Sequence, residues 1–502
     1  MKKIFFVFIA MFSMAVEAQN ISDAVRYSTT DLTGTARYRA MSGAFGALGG
    51  DLSALEVNPA GSAVFLNSYA SFSLDLRNTE NEISYFNGFT NSSNSNVNLG
   101  QAGAVFVFNS RDEENSWRKF TLGINYGTSK NFENDFVAAG TGNNTIANYF
   151  LGYANGIPLD LLEPLENESI AELYSYLGEN EGFGAQQAML GYQGFVINST
   201  DPDNFESTTY TSAIAPGSFD QEYAYAATGL NGKLSFNFAT QFQDNLYLGL
   251  NLNSHFINYE KSTAYFEANN NTGSEINEVY FENNLSTLGS GFSFQLGGIA
   301  KLGSNVRLGA SYESPTWYTI SEETTEYLET FSDEFGEATV NPNVINIYPD
   351  YKLQTPGKYT GSLAVLFGTN GLLSFDYSYK DYSTTKFKPT SDPDFAFQND
   401  LMAAQLKGAS TYRLGGEYRV ENWSLRGGYR LEESPYSNDD LIGDLIGYSV
   451  GLGYNFGNIK LDLAYDMAQQ EKSYQLFPVG LTDNAFIDAN NSNYTLTLSF
   501  GL

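Results

Sequence analysis

The sequence predicts an all-β protein, a 14-stranded antiparallel transmembrane β-barrel closed around a small N-terminal hatch, or plug. Three observations predict it. Apolar and polar residues alternate with period 2 along most of the chain, which in a strand sends the two sets to opposite faces. The connections between these segments are alternately short and long, as periplasmic turns and outer loops are in an outer-membrane barrel. The chain opens with an export signal but then lacks any run of about 20 apolar residues, the length a membrane helix needs, so a closed barrel is left as the way to span a bilayer.

The export signal is the first element. Lys2 and Lys3 precede the apolar run Ile4 to Val16, and Val16-Glu17-Ala18 presents small or branched residues where a signal peptidase reads. Residues 1–18 are therefore expected to be a signal peptide and the mature chain to begin at Gln19, with the cell outer membrane as its destination. The run is too short to cross roughly 30 Å of hydrocarbon as a helix, and with no Cys in the chain a lipoprotein anchor is excluded.

Residues 19–65, expected to form the hatch, follow. The stretch Ala40 to Gly61 is dense in Gly and Ala, which lets backbone approach backbone as a plug inside a barrel must. It contains Asp51, Ser53, Ala54 and the run Asn58-Pro59-Ala60-Gly61, where Pro59 fixes its own φ and pushes Asn58 extended, making a corner before the first strand.

The remainder, 66–502, is expected to be the barrel. Alternation such as Phe120, Leu122, Ile124, Tyr126 against Thr121, Gly123, Asn125, Gly127 gives fourteen spans: 66–76, 99–108, 118–127, 230–240, 245–258, 285–301, 305–313, 357–368, 372–381, 410–420, 423–431, 446–456, 459–468 and 493–502. An even count suits a closed bacterial barrel. Six connections are short, with hairpin residues at Asn370-Gly371 and Gly457-Asn458, and the other seven are long. All thirteen Pro lie outside these spans, twelve of them in the long connections, as the missing N–H requires. The last span alternates Tyr494, Leu496, Leu498 and Phe500 with Thr495, Thr497 and Ser499.

If Tyr412, Leu414, Tyr418, Leu425 and Tyr429 face outward, alternation turns Arg413, Glu417, Arg419, Arg426 and Arg430 into the lumen, where water or a plug tolerates charge. Such a set either holds the hatch, attracts an anionic ligand, or is neutralised by neighbouring acids such as Glu417. The largest connection, about 128–229, carries Ile170, Leu173, Tyr174 and Leu177 at helical spacing before Gly178. That helix either captures ligand at the surface or covers the barrel mouth.

The net charge of −31 excludes nucleic acid and disfavours acidic partners. The run Glu322, Glu323, Glu326, Glu329, Asp333, Glu334, Glu337 reads as solvated loop charge or as a divalent-cation site. No enzyme signature is present: there is no Cys, and the single histidine, His255, falls on a strand as a polar barrel or rim residue. No catalytic residue, resident metal or cofactor is called for.

The order Asp51, Ser53, Ala54, then Asn58, Pro59, Ala60, Gly61, directly before the first strand, resembles the hatch of the FadL/TodX family of outer-membrane channels for hydrophobic compounds. Val306 to Pro315 and Leu353-Gln354-Thr355-Pro356 look like the family's strand into an outer loop and its approach to the next strand. The resemblance implies fourteen strands, outer-loop helices that form a capture groove, and an inward kink in the third strand that opens the wall to lipid. Carried onto this chain, the groove falls on Ile170, Leu173, Tyr174 and Leu177, and the gate on Gly123 and Gly127, which otherwise simply make room for the plug. The implied function is passage of long-chain fatty acids or other small hydrophobic compounds, with outer-membrane lipid and a small hydrophobic ligand as partners. The alternative is a non-transporting barrel serving as a subunit of an outer-membrane secretion or assembly complex.

Overall fold

The structure is a computed structural model that describes residues 20–112 and 114–502, so the expected signal peptide lies outside the described residues. Alternating sequence becomes strand at every one of the fourteen expected places. We number them β1 Tyr69–Tyr85, β2 Gly88–Asn109, β3 Trp117–Asn131, β4 Phe219–Phe242, β5 Leu246–Ala268, β6 Glu278–Leu302, β7 Val306–Glu313, β8 Lys358–Phe367, β9 Gly371–Asp381, β10 Gly408–Val420, β11 Trp423–Glu432, β12 Leu445–Asn455, β13 Ile459–Gln475 and β14 Asn484–Gly501. Each pairs antiparallel with the next, and β14 pairs back onto β1 from Tyr69–Gly501 to Ser84–Phe486, so the sheet is a closed barrel.

The outward phase of the strands is apolar and exposed across a band: Tyr412, Leu414 and Tyr418 on β10, for example, and Tyr494, Leu496, Leu498 and Phe500 on β14. In lipid that exposure is burial. Trp117, Trp423, Phe367 and Phe456 at the short-turn end, and Trp317, Tyr379 and Tyr448 at the other, form the aromatic girdles of such a band. No described helix is long and apolar enough to cross a membrane.

Several strands outrun their expected limits on the long-loop side. The connection expected between 76 and 99 is instead a continuation of β1 and β2, paired to Tyr85–Gly88. Its Asn- and Ser-rich sequence stands above the lipid and turns Ile83 and Tyr85 into the cap core, an apolar alternation too short to signal a strand. Beyond β7, Ser314 to Thr316 break the ladder and the same column resumes as the strand Trp317–Ser332, paired to β6 and, over Leu328–Ser332, to Gly336–Val340. None of the thirteen Pro lies in a strand of the described structure.

The acidic run thus lies on a strand pair, not in a solvated loop. Period 2 sends Glu322 and Glu326 inward to 1% and 6% exposure while Glu323 and Glu329 point out.

Candidate functional site

The floor of the site is the N-terminal segment, which fills the lumen. Helix α1 Ile21–Ser28 is started by a capping box between Asn20 and Asp23, and the one-turn helix α2 Ala36–Arg39 is capped by Thr35. Two 3-10 turns, Ser53–Glu56 and Pro59–Val64, complete it. Asp51 accepts from the Thr35 hydroxyl at 2.7 Å and from the Ser53 N–H at 3.0 Å, and Ser53 Oγ accepts from the Thr35 N–H. Ala54 is fully buried, and its carbonyl accepts the Asn58 N–H. Asn58 is extended at φ −146°, ψ 110°, and its Nδ2 donates to Gly46 O and, across to the wall, to Gly298 O at 3.0 Å. Pro59 O accepts from Asn237 of β4, the Asn58 side chain caps Ala60 N, and Gly61 O accepts from Gly50 N. Gly49 must be Gly here: its φ is +61°, and a Cβ would meet the Gly61 backbone at 2.8 Å.

Charge fastens this plug to one side of the barrel. Arg39 is 2% exposed and lies between Asp466 (2.7 Å) and Asp75 (3.0 Å), while Arg37 reaches Glu417 at 2.8 Å. The expected lumen charges are all there, and each is paired. Glu417 also takes Arg419 and Arg426, Arg426 takes Asp462 at 2.6 Å, and Arg413 and Arg430 share Glu432. Barrel carboxylates thus hold the plug arginines, and Glu417 joins Arg37 of the plug to the wall arginines Arg419 and Arg426. Arg37, Arg39, Asp462 and Asp466 were missed, although the parity that turned Arg413 inward also turns Asp462 and Asp466 inward on β13.

Above the plug lies a cavity of about 990 Å³. Phe132, Tyr223, Tyr225, Tyr259, Tyr474 and Phe477 form much of its wall, and α1 intrudes from below. Its roof is built from the long connection after β3, which contributes α3 Ala147–Ala154, α4 Ile170–Asn180 and α5 Phe183–Gln193. The expected capture stripe does not face solvent: Leu173, Tyr174 and Leu177 are 4%, 1% and 0% exposed, and Ile170 is half-buried against the same cluster. The stripe packs on α3, α5, Phe281, Leu328 and Phe477, because a cap over a barrel mouth needs an apolar core of its own. Tyr174 donates to Glu326 at 2.7 Å, and Gln187 donates to the same carboxylate. Burial outweighs these hydrogen bonds and pushes the Glu326 carboxyl up to about 7. A sixth helix, α6 Pro393–Gln405, flanks the cavity with Gln398, Leu401 and Gln405.

The wall parts between β2 and β3. β2 and β3 are laddered from Asn109–Lys119 up to Gln101–Gly127, where their pairing ends. Bulges sit at that point on both strands, at Gly100 in the β1–β2 ladder and at Ser129 in the β3–β4 ladder. Farther out, the strand Asn134–Gly142 continues the β3 column against β4 and meets β2 only through side chains, such as Ser92 Oγ to Asp135 O at 2.6 Å. A small cavity of about 60 Å³, bordered by Asn98, Gly100, Thr128, Asn131 and the segment Thr30–Thr33, lies inside the parting. Asp31 N donates to Ser129 O at 2.8 Å, so the segment lies along the edge that β2 vacates. Gly127 is the last residue of β3 paired with β2, whereas Gly123 is fully laddered, with Leu55 of the plug 3.3 Å from the position of a Cβ. A Cβ on Gly127 would overlap the Glu56 carboxylate.

His255 is buried in the lumen. Its Nε2 hydrogen-bonds Ser293 Oγ at 2.9 Å, its ring meets Tyr318 edge-on, and its Nδ1 has no hydrogen-bond partner among the described residues, so no acid orients the ring.

A sequence profile of the outer membrane protein transport family, OMPP1/FadL/TodX, matches residues 194–494. No curated protein matches the sequence. Among solved structures, a Pseudomonas aeruginosa FadL homologue aligns with TM-score 0.54 at 11% identity, covering 94% of this chain and 99% of its own. The P. putida toluene transporter TodX aligns with TM-score 0.52 at 14% identity over 94% and 99%, and the monoaromatic hydrocarbon channel CymD with 0.51 at 13% over 94% and 97%. At such identities the shared property is the fold. The alternative of an assembly-machine subunit finds no support in these comparisons.

Proposed function

The chain belongs to the outer membrane protein transport family OMPP1/FadL/TodX, and from that premise we propose that it carries long-chain fatty acids or other small hydrophobic compounds from the surface to the bilayer by lateral exit. The observation that carries the proposal is the aromatic cavity enclosed between plug and cap, in register with the one place where the β2–β3 ladder parts. Apolar surface leaving water supplies the binding energy, at ~25 cal/mol per Å². A ligand that then entered an aqueous channel would forfeit that gain, whereas one that moved sideways into lipid would keep it. In this reading capture falls to the cavity wall and not to the α4 stripe, and the gate to the parting above Gly127 and not to Gly123. The segment Thr30–Thr33 fills the opening and must shift for passage.

Bridging Asn98→Cys and Asn131→Cys, which flank the small cavity, with a short bis-maleimide tests the route. Uptake of a fluorescent fatty acid into liposomes should cease while probe binding persists, and the unbridged double variant should transport normally. Unchanged uptake after complete cross-linking would sink lateral exit.

A further inference from the structure

Eight described cations line the cavity, and apart from Lys261 they fall into two groups. Arg26, Arg77, Lys358 and Arg413 each pair with a carboxylate: Asp23, Asp31, Glu313 and Glu432 respectively. Lys130, Lys380 and Lys472 line the same cavity from β3, β9 and β13 and enter no ion pair. Lys130 donates only to Thr29 Oγ1 and Lys380 only to Ser28 O, both neutral oxygens at the C-terminal end of α1. Lys472 has no hydrogen-bond or ion-pair partner among the described residues. The nearby acids, which attract these lysines at longer range, make their direct contacts elsewhere: Asp31 with Arg77 and the Asn131 N–H, Glu313 with Lys358, Glu432 with two arginines, Glu433 with the Ser410 N–H, and Glu326 in the cap.

Three ammonium groups lining one cavity, none with a carboxylate in direct contact among the described residues, are unusual in a chain of net charge −31. Removing a cation from water without a counter-charge in contact is costly, and the group either sheds its proton or gains an anion; an anion brought among the three would recover that cost. One carboxylate would neutralise one of the three. A phosphate monoester brings a charge of about −1.5 to −2 near neutral pH and three strong acceptor oxygens, one for each ammonium. Lys472 and Tyr474 share the inward phase of β13, so the cationic site adjoins the aromatic wall of Tyr223, Tyr225 and Phe477.

We propose that the cavity receives an amphiphile with a dianionic phosphate monoester head, the head held by Lys130, Lys380 and Lys472 and the chain by the aromatic wall. This rests on the reading of the cavity as the ligand site. The head would take the place that the C-terminal end of α1 now occupies against Lys130 and Lys380.

The test uses the mature protein in nanodiscs at pH 7, where the phosphate head is largely dianionic, with displacement of a fluorescent hydrophobic probe by decyl phosphate, decanoate, decanol and inorganic phosphate. Decyl phosphate should bind about tenfold tighter than decanoate and tighter still than decanol. Lys472→Gln should abolish most of that preference while decanol binding stays unchanged. Lys301→Gln, which alters a lysine over the Tyr247 ring at the short-turn end, should change nothing. Decanoate or decanol binding as tightly as decyl phosphate would overturn the inference and leave the hydrophobic-ligand site intact. Inorganic phosphate matching decyl phosphate would reveal a simple anion site and also overturn it. If none displaces the probe, the ligand-site reading itself fails.

Discussion

Single residues in this protein matter most where charge is buried. Glu326 is 6% exposed beneath the cap, and its carboxyl, raised to about 7, stays neutral through mildly acidic pH in the folded cap. In the unfolded chain it would ionise near 4.3. The folded state therefore binds the proton more tightly, and its contribution to cap stability is fully present below that pH and is lost as pH rises to about 7. The displacement corresponds to about 4 kcal/mol, set by ~1.4 kcal/mol per pH unit. Protection factors of α4 and α5, which are exchange rates divided by the intrinsic base-catalysed rate at each pH, should fall between pH 5 and 8 in the native protein, and Glu326→Gln, which keeps an acceptor for Tyr174, should flatten that fall. Protection factors independent of pH in the native protein would show that Glu326 is not held neutral.

At the scale of elements, what could be read depended on whether an element has one apolar face in lipid. Strands such as β10 and β12 carry aromatics outward and small or charged residues inward, and their expected spans lie within two residues of the observed ones, whereas β14 begins nine residues before its expected start. The outer halves of β1 and β2 are mostly polar, with Ile83 and Tyr85 alone turned into the cap core from β1, and their sequence resembles a loop. Helix α4 was legible from its stripe and Gly178, but a stripe does not say which partner buries it, and the partner is a cap core assembled from segments as distant as Phe281, Leu328 and Phe477. In the site, Glu417 and its arginines followed from parity on two adjacent strands. Lys130, Lys380 and Lys472 converge from three strands scattered along the chain, and no local pattern gathers them. Because Leu173 and Tyr174 are inside the cap, replacing both with Asp buries two unpaired charges and should melt the cap. Limited proteolysis should then cut within 155–210 while heat-modifiable gel migration of the barrel is retained. A double variant as protease-resistant as the parent, with only ligand affinity reduced, would return the stripe to a capture role.

The whole molecule depends on closure. In lipid every backbone N–H and C=O must be paired within the protein, and an unpaired group costs several kcal/mol, so a barrel cannot lose one seam and remain in the membrane. β14 carries two seams, one with β13 from Ile459–Phe500 to Gln475–Asn484 and one with β1. Residues 493–501 are its lipid-facing part, paired with Tyr69 to Arg77 and with Ile459 to Asp466. Deleting 493–502 would strand both edges in hydrocarbon, and we expect the truncated chain to lose heat-modifiable migration altogether. The contrast is a cut of similar length outside the bilayer. Asn81 pairs with Ser92 in the outer β1–β2 hairpin, so replacing residues 81–92 with Asn-Gly joins Glu80 to Ser93 through a two-residue turn and leaves every membrane-level pair intact. That variant should insert and migrate as the full-length protein does. A C-terminal truncation that still shifted on heating would mean that the remaining thirteen strands can close a barrel, and would refute the strand order on which the cavity, the plug contacts and the β2–β3 parting all rest.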